Sequence, residues 1–320
     1  MWLSIQWKPL VVFTHILLHC SSSSSASTVH AVYYAAHSHN DYSEQKDPIW
    51  DAVDLGIGSI EADIYLVKDT LVIGHDFPTK ETLIDMYIDP LVTKIDNSGE
   101  IFEAHPEQPI NLLIDIKSKD AISTFEVLNN LLQTNYSKYF SMFERLDGED
   151  DDVNRVNFKP SFINCILSGN RDFDQVVNTF PRWCSVDSNT MDDIDIYSNL
   201  VTPIVSLNFN SVFGLAIFKL NTEQLKTLTD HVKLCKETKK RLRYWGGLDS
   251  MTIWQQMLNV DEEKDVVVLN ADNLDSAASL LQKNNYRDDN QNCNITPAWC
   301  SDDKEDETST PRSSHLRKQK

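Results

Sequence analysis

The chain has 320 residues, 41% hydrophobic and 24% charged, with a formal net charge of −19. That composition is globular, and the length suits one large domain or two small ones. Acidity on this scale excludes the wrapping of nucleic acid, which depends on lysine and arginine against phosphate.

The N-terminus opens with Lys8, a twelve-residue apolar run "PLVVFTHILLHC" and then "SSSSSAST". A short apolar region followed by small residues is expected to be a secretory signal peptide over residues 1–26, with cleavage after Ala26 or Ala31. It is too short for a comfortable transmembrane helix. A mitochondrial presequence should be arginine-rich, and no arginine precedes Arg145. His15 and His19 inside the run keep an uncleaved anchor as the alternative. The expected location is the secretory pathway or beyond it. Cys20 leaves with the signal, and Cys165, Cys184, Cys235, Cys293 and Cys300 remain. Cys293 and Cys300 are the first candidate pair in an oxidising compartment, and the connectivity of the others stays open. No cysteines have the C-x-x-C spacing of a zinc site. The triplets "NYS" at Asn135 and "NIT" at Asn294 suit glycosylation.

From residue 32 onward, short β-branched runs alternate with helical patterns. Strands are expected at 32–37, 59–67, 111–117, 162–169, 183–187, 202–209, 241–245 and 265–270, with a short extra strand at 71–76. Helices are expected at 47–56, 121–133, 222–235, 250–258 and 274–283. Eight strands with intervening helices over about 250 residues is the size of an α/β (β/α)8 TIM barrel, here set at residues 31–300. A doubly wound open sheet is the alternative, weakened because no glycine-rich loop follows the first strand. The acidic run "DGEDDD" at 147–152 reads as a solvated loop, and residues 301–320, without apolar periodicity, as a disordered tail.

Residues i and i+2 of a strand share a face. Three early strands carry polar pairs at that spacing: His37 with His39, Glu61 with Asp63, and Asp115 with Lys117. Their apolar neighbours would face the helices, so the polar side chains should point into the barrel. Left without partners there, each would cost several kcal/mol. They are expected to meet around a cation. Three carboxylates, Glu61, Asp63 and Asp115, suit Mg2+ or Ca2+ rather than zinc. "GHD" adds His75 at the edge of the same site. Two imidazoles, a hard cation and a lysine are a kit for cleaving a phosphodiester: cation and Lys117 neutralise phosphoryl oxygens while the imidazoles move protons.

The order H…E-x-D…GHD…D-x-K, each at a strand end, resembles the PLC-like phosphodiesterase barrels, which include glycerophosphodiester phosphodiesterases and sphingomyelinase D-type phospholipases. "HSHNDY", "EADIYL", "GHD", "YIDPL", "LLIDIKS", "SGN" and "VVVLNADNL" are similar to the fungal family of altered inheritance of mitochondria protein 6. The likeness covers most of residues 33–275. It implies a PLC-like barrel, His37 and His75 as the acid/base pair, Glu61, Asp63 and Asp115 as metal ligands, and Lys117 near the phosphoryl group. The glycerophosphodiester enzymes have H-R-G where this chain has "HSH", so their substrate preference does not carry over. A small phosphodiester or lysophospholipid is the expected substrate, with no nucleic acid and no stable protein partner.

His39 and Asn40 are further candidates for substrate binding. His39 could instead orient a neighbour, Asn40 could bind metal, and "HND" could simply cap the following loop. Asn270 and Asp272 could rim the pocket, and Trp245 and Trp254 could line a lipid-facing wall or belong to the core. Two rival functions stand beside the phosphodiesterase. H-x-H after a first barrel strand also begins binuclear amidohydrolase-type sites, but those need histidines on later strands, and 183–187 and 202–209 hold none. A non-catalytic secreted barrel that keeps the pocket for binding is the other.

Overall fold

The computed structural model describes residues 31–146, 152–192, 194–216 and 218–286. The signal segment, the Cys293–Cys300 pair, Asn294, most of the acidic run and the tail lie outside the described residues. In chain order the elements are β1 (Ala36–Ser38), α1 (Asp41–Glu44), α2 (Trp50–Asp54), β2 (Ser59–Val67), β3 (Thr70–Ile73), α3 (Asp89–Ser98), β4 (Ile110–Ile116) and α4 (Ala121–Leu131). There follow β5 (Met142–Arg145), β6 (Val156–Lys159), β7 (Ile163–Gly169), α5 (Phe173–Asn178), β8 (Cys184–Val186), β9 (Ile204–Asn208) and α6 (Phe209–Phe213). The last are α7 (Thr222–Glu237), β10 (Arg241–Trp245), α8 (Met251–Val260), β11 (Val267–Ala271) and α9 (Leu274–Lys283).

Eight strands pair in parallel in the order β8, β7, β4, β2, β1, β11, β10, β9. The two ends of that sheet meet through one parallel bridge, Ser188 with Val205. Ser188 N donates to Ile204 O at 2.9 Å, and Ser206 N donates to Ser188 O at 2.7 Å. The result is a nearly closed TIM barrel, which removes the open-sheet alternative. The antiparallel β3 returns along β2 with Ile64 opposite Ile73, as expected for the extra strand. No helix among the described residues is long and apolar enough to cross a membrane.

The alternation of the strands sorts their side chains. Ile60, Ala62, Ile64, Ile114 and Ile116 are fully buried in the main apolar cluster, packed against the helical layer. The opposite face fills the barrel. Leu113, Ile166, Ile204 and Val268 form a small separate apolar cluster. Two residues further along the same strands stand Asp115, Ser168, Ser206 and Asn270. The barrel interior is therefore an apolar floor with a polar layer directly above it, at the C-terminal end of the strands where barrel sites are built. Cys165 and Cys184 form a disulfide, joining partnered positions of β7 and β8. Cys235 is free and buried.

The hairpin of β5 and β6, and helices α1, α3, α5 and α6, are additions to the sequence expectation. Helix α3 has Pro90 near its start and Gly99 at its C-cap with φ 79°, the usual asymmetry of helix ends. A single π turn, Ile84–Ile88, runs into it and obscures the 3.6-residue period. Trp254 is core, 4% exposed, whereas Trp245 is 41% exposed.

Candidate active site

The parallel register of β2 and β4 sets Asp63 beside Asp115. Glu61, two residues earlier on β2, completes a group whose ligand atoms lie within 4.8 Å of one another. Asp63 Oδ1 and Asp115 Oδ1 are buried with no hydrogen-bond partner. Burial and the Glu61 carboxylate push Asp63 up to about 7 and raise Asp115 as well. A purely carboxylate donor set with two orphaned buried oxygens fits a hard divalent cation held by Glu61, Asp63 and Asp115.

The remaining oxygens of the group are committed. Lys117 Nζ lies 3.1 Å from Asp115 Oδ2 and 3.5 Å from Asp63 Oδ2. Burial works to lower this ammonium, and the two aspartates outweigh it and hold it above its ordinary value. Tyr42 OH donates to Asp63 Oδ2 at 3.1 Å. Asn40 N donates to Glu61 Oε2 at 3.2 Å. Asn40 can aim its amide there because it adopts the left-handed conformation, φ 46°, which asparagine tolerates better than most residues.

Gly169, the last residue of β7, makes the close packing of Asp115 possible. It has φ +68°, and a Cβ there would sit 1.9 Å from Asp115 Oδ1 and 2.7 Å from Ile116 O. Only glycine fits.

The "HSHND" stretch divides into three roles. His37 is 1% exposed. Its Nδ1 lies 2.8 Å from Ser59 Oγ. Its Nε2 is buried without a hydrogen-bond partner, 3.6 Å from Glu61 Oε2. Burial, then the nearby Arg243 guanidinium, lower His37 to about 4. His39 lines the site cavity, with Nδ1 2.8 Å from Asp272 Oδ1 and Nε2 3.9 Å from Glu61 Oε2. Burial works to lower His39, but Asp272 and Glu61 prevail and raise it. Asp41 is structural: fully buried, it accepts from Ser38 Oγ at 2.6 Å and from Ile49 N at 2.7 Å, which anchors the loop after β1.

His75 lines the same cavity, its side chain half exposed, with Nδ1 2.9 Å from Asp76 Oδ1. Tyr65 OH donates to its carbonyl at 2.7 Å. That cavity has a volume of about 330 Å³, and its lining includes His39, Asn40, Glu61, His75, Asp115 and Lys117. His37 lies beneath this lining rather than in it. A larger cavity of about 820 Å³ shares Gly169, Asn170, Arg171 and Asn189 with the first.

Sequence reasoning missed two groups. Arg243, in the centre of β10, donates through Nη1 to Glu61 Oε1 at 3.4 Å and to Asn270 Oδ1 at 3.2 Å, and through Nε to Ser206 Oγ at 3.1 Å. It offsets the burial of Glu61 and holds that carboxyl well below its ordinary value. The second is the set around Asp187: Ser168 Oγ donates to Asp187 Oδ2 at 3.0 Å, and Arg171 Nη2 lies 2.9 Å from Asp187 Oδ1. An arginine inside the apolar strand "RLRYW" was the available signal for the first.

A nearly closed parallel barrel with a carboxylate cluster, a lysine and imidazoles at its C-terminal mouth defines a phosphodiesterase-type barrel. Residues 27–183 match the model of the AIM6-like phosphodiesterase domain, and the chain is similar to that family there. It is 26% identical over 267 residues to the altered inheritance of mitochondria protein 6 homolog of Arthroderma benhamiae, covering 75% of this chain and 82% of the relative. It is 26% identical over 294 residues to altered inheritance of mitochondria protein 6 of Lachancea thermotolerans, covering 76% of this chain and 65% of the relative. The phosphatidylinositol-specific phospholipase C of Listeria monocytogenes aligns over 80% of this chain and 94% of its own, with a TM-score of 0.44 and 12% identity.

Proposed function

We propose that this protein is a metal-dependent phosphodiesterase of the secretory pathway, acting on a small phosphodiester of glycerophosphodiester or lysophospholipid type. The observation that carries this reading is the trio Glu61, Asp63 and Asp115, with two orphaned buried oxygens, beside a cavity whose lining includes Glu61, Asp115, His75 and Lys117. Glu61, Asp63 and Asp115 would hold a hard divalent cation, Mg2+ or Ca2+, which would supply Lewis-acid stabilisation of phosphoryl charge. Lys117 adds a fixed positive charge on the same side.

His37 and His75 move the protons. Lowered to about 4, His37 is neutral at neutral pH. With Nδ1–H donating to Ser59 Oγ, its Nε2 lone pair takes a proton from the attacking hydroxyl or water. His75, in the cavity lining, gives a proton to the leaving oxygen. A second reading puts His39 in the place of His37. It is favoured by one observation: His39 lines the cavity with Asp272 on its far nitrogen, whereas His37 lies beneath it.

Two features support the secretory route. The Cys165–Cys184 bridge belongs to an oxidising compartment, and Asn135 of the "NYS" triplet is exposed. The functional test is a panel of glycerophosphodiesters and lysophospholipids, followed by phosphorus NMR with and without Mg2+ or Ca2+. Metal-dependent loss of the diester signal is the expected result. Metal and diester binding without turnover would make the protein a non-catalytic binding module instead.

A further inference from the structure

Arg243 sits where four strands converge, and three of its hydrogen bonds fix its plane. Nε is taken by Ser206 of β9, and Nη1 is shared between Glu61 of β2 and Asn270 of β11. A guanidinium has five N–H donors, and among the described residues Nη2 makes no hydrogen bond. The side chain is 3% exposed and lines the 330 Å³ cavity together with His75 and Lys117. Its charge bears on His37, His39, Glu61, Asp115 and Asp187 alike, which puts it at the electrostatic centre of the site.

This is not the geometry of an arginine committed to a carboxylate. Such pairs are commonly bidentate, with N···O near 2.8 Å. Glu61 instead receives a single contact at 3.4 Å. The guanidinium is held edge-on by three strands, with one nitrogen left over for the cavity. A rigid planar donor that cannot lose its charge is suited to phosphoryl oxygens.

We propose that Arg243 binds the reacting phosphoryl group, its Nη2 donating to one non-bridging oxygen and stabilising the charge that grows there as the ester bond breaks. The assignment rests on the phosphodiesterase reading for the identity of the reacting group. It goes beyond that reading in naming a residue that lies outside the H…E-x-D…GHD…D-x-K pattern.

The test uses the full chain with Arg243→Lys and Arg243→Met. Arg243→Lys keeps a cation beside Glu61 and is the variant that preserves folding, checked by its melting temperature. Inorganic phosphate binding, measured by calorimetry in Mg2+, reports on the group without requiring turnover. It should weaken at least 10-fold in both variants. A diester cleaved by the wild type is then offered as its two phosphorothioate diastereomers. Wild type should disfavour one isomer at least 10-fold, and Arg243→Lys should lose most of that discrimination. Unchanged phosphate affinity in folded Arg243→Lys would overturn the proposal. So would equal slowing of both isomers, because a residue that only braces Glu61 has no preference between them. If no diester is cleaved by the wild type, the phosphodiesterase reading fails, and phosphate affinity alone decides whether Arg243 binds the oxyanion.

Discussion

Gly169→Ala should disable the site while leaving the barrel folded. The added methyl would begin 1.9 Å from Asp115 Oδ1, more than 1 Å inside the 3.0 Å that real Cβ contacts respect, and 2.7 Å from Ile116 O. Asp115 must then swing away, out of the group it forms with Glu61 and Asp63 and off its 3.1 Å contact with Lys117. The backbone at φ +68° adds about 1–2 kcal/mol for an L-residue in the left-handed region. The global loss is therefore about 1–3 kcal/mol, since the displaced carboxylate faces the cavity rather than the core. The functional loss is larger: a misplacement of about 1 Å is worth about 100-fold in rate. Urea unfolding gives the first number. Turnover, together with the Mg2+-induced rise in melting temperature, gives the second. A Gly169→Ala protein with wild-type turnover and an undiminished Mg2+ response would refute the claim that this glycine is what lets Asp115 reach its place.

In wild type, millimolar Mg2+ or Ca2+ should raise the melting temperature by linkage, and Asp63→Asn should abolish most of that rise; a shift of the same size in both proteins would remove Asp63 from the ligand set. His37→Ala and His75→Ala should each lower turnover about 10²–10⁴-fold without loss of the metal response, and His39→Ala should do less. An inactive His39→Ala beside a near-normal His37→Ala would transfer the proton-transfer role to His39. The folded state also holds His37 near 4 against an ordinary 6.5, so the unfolded chain binds that proton more tightly. Stability from this residue is complete above pH 6.5 and is lost as pH falls toward 4, by about 3 kcal/mol in all. The difference in unfolding free energy between wild type and His37→Gln across pH 7 to 4 measures it, and parallel profiles would argue against a buried neutral imidazole. Reducing Cys165–Cys184, a separation of 19 residues, should lower unfolding stability by about 3 kcal/mol, read by denaturation with and without dithiothreitol.

The barrel was legible because each of its eight strands shows its own period. In β2, "SIEADIYLV" alternates apolar residues with Glu61 and Asp63, and the boundaries 59–67 are those observed. The same alternation put Asp115 and Lys117 on the inner face. It could not separate His37 from His39: period two gives both the same face, and only the depth of β1 in the barrel buries one beneath the cavity and leaves the other in its wall. Arg243 was unreadable for a related reason. An arginine in a short strand usually marks an exposed edge, and its role here depends on Ser206, Glu61 and Asn270, which come from three distant parts of the chain. The β5–β6 hairpin was hidden because "MFER" and "VNFK" are short, charged and set around an acidic run.

The barrel's single-bridge closure at Ser188 has a mechanical consequence. Six of the other seven joints of the cylinder are ladders of two or more paired residues, β1 meets β2 through the single pair Ser38 and Ile60, and β8 and β9 are joined by one bridge at Ser188. Opening the cylinder at this joint breaks the two backbone bonds at Ser188 and the 3.1 Å bond from Val186 N to Val201 O, and leaves the other strand pairings intact. The lip on one side cannot peel away, because Cys184 of β8 is covalently tied to Cys165 of β7. The other lip is β9, which carries Ser206 and, through it, one anchor of Arg243. A transient parting here would therefore move the arginine's support while the carboxylates on β2 and β4 stay fixed. The barrel thus holds the acidic cluster on the six-pair ladder of β2 and β4 and has a compliant joint next to the guanidinium, and amide exchange at Ser188 and Ser206 reports on that joint.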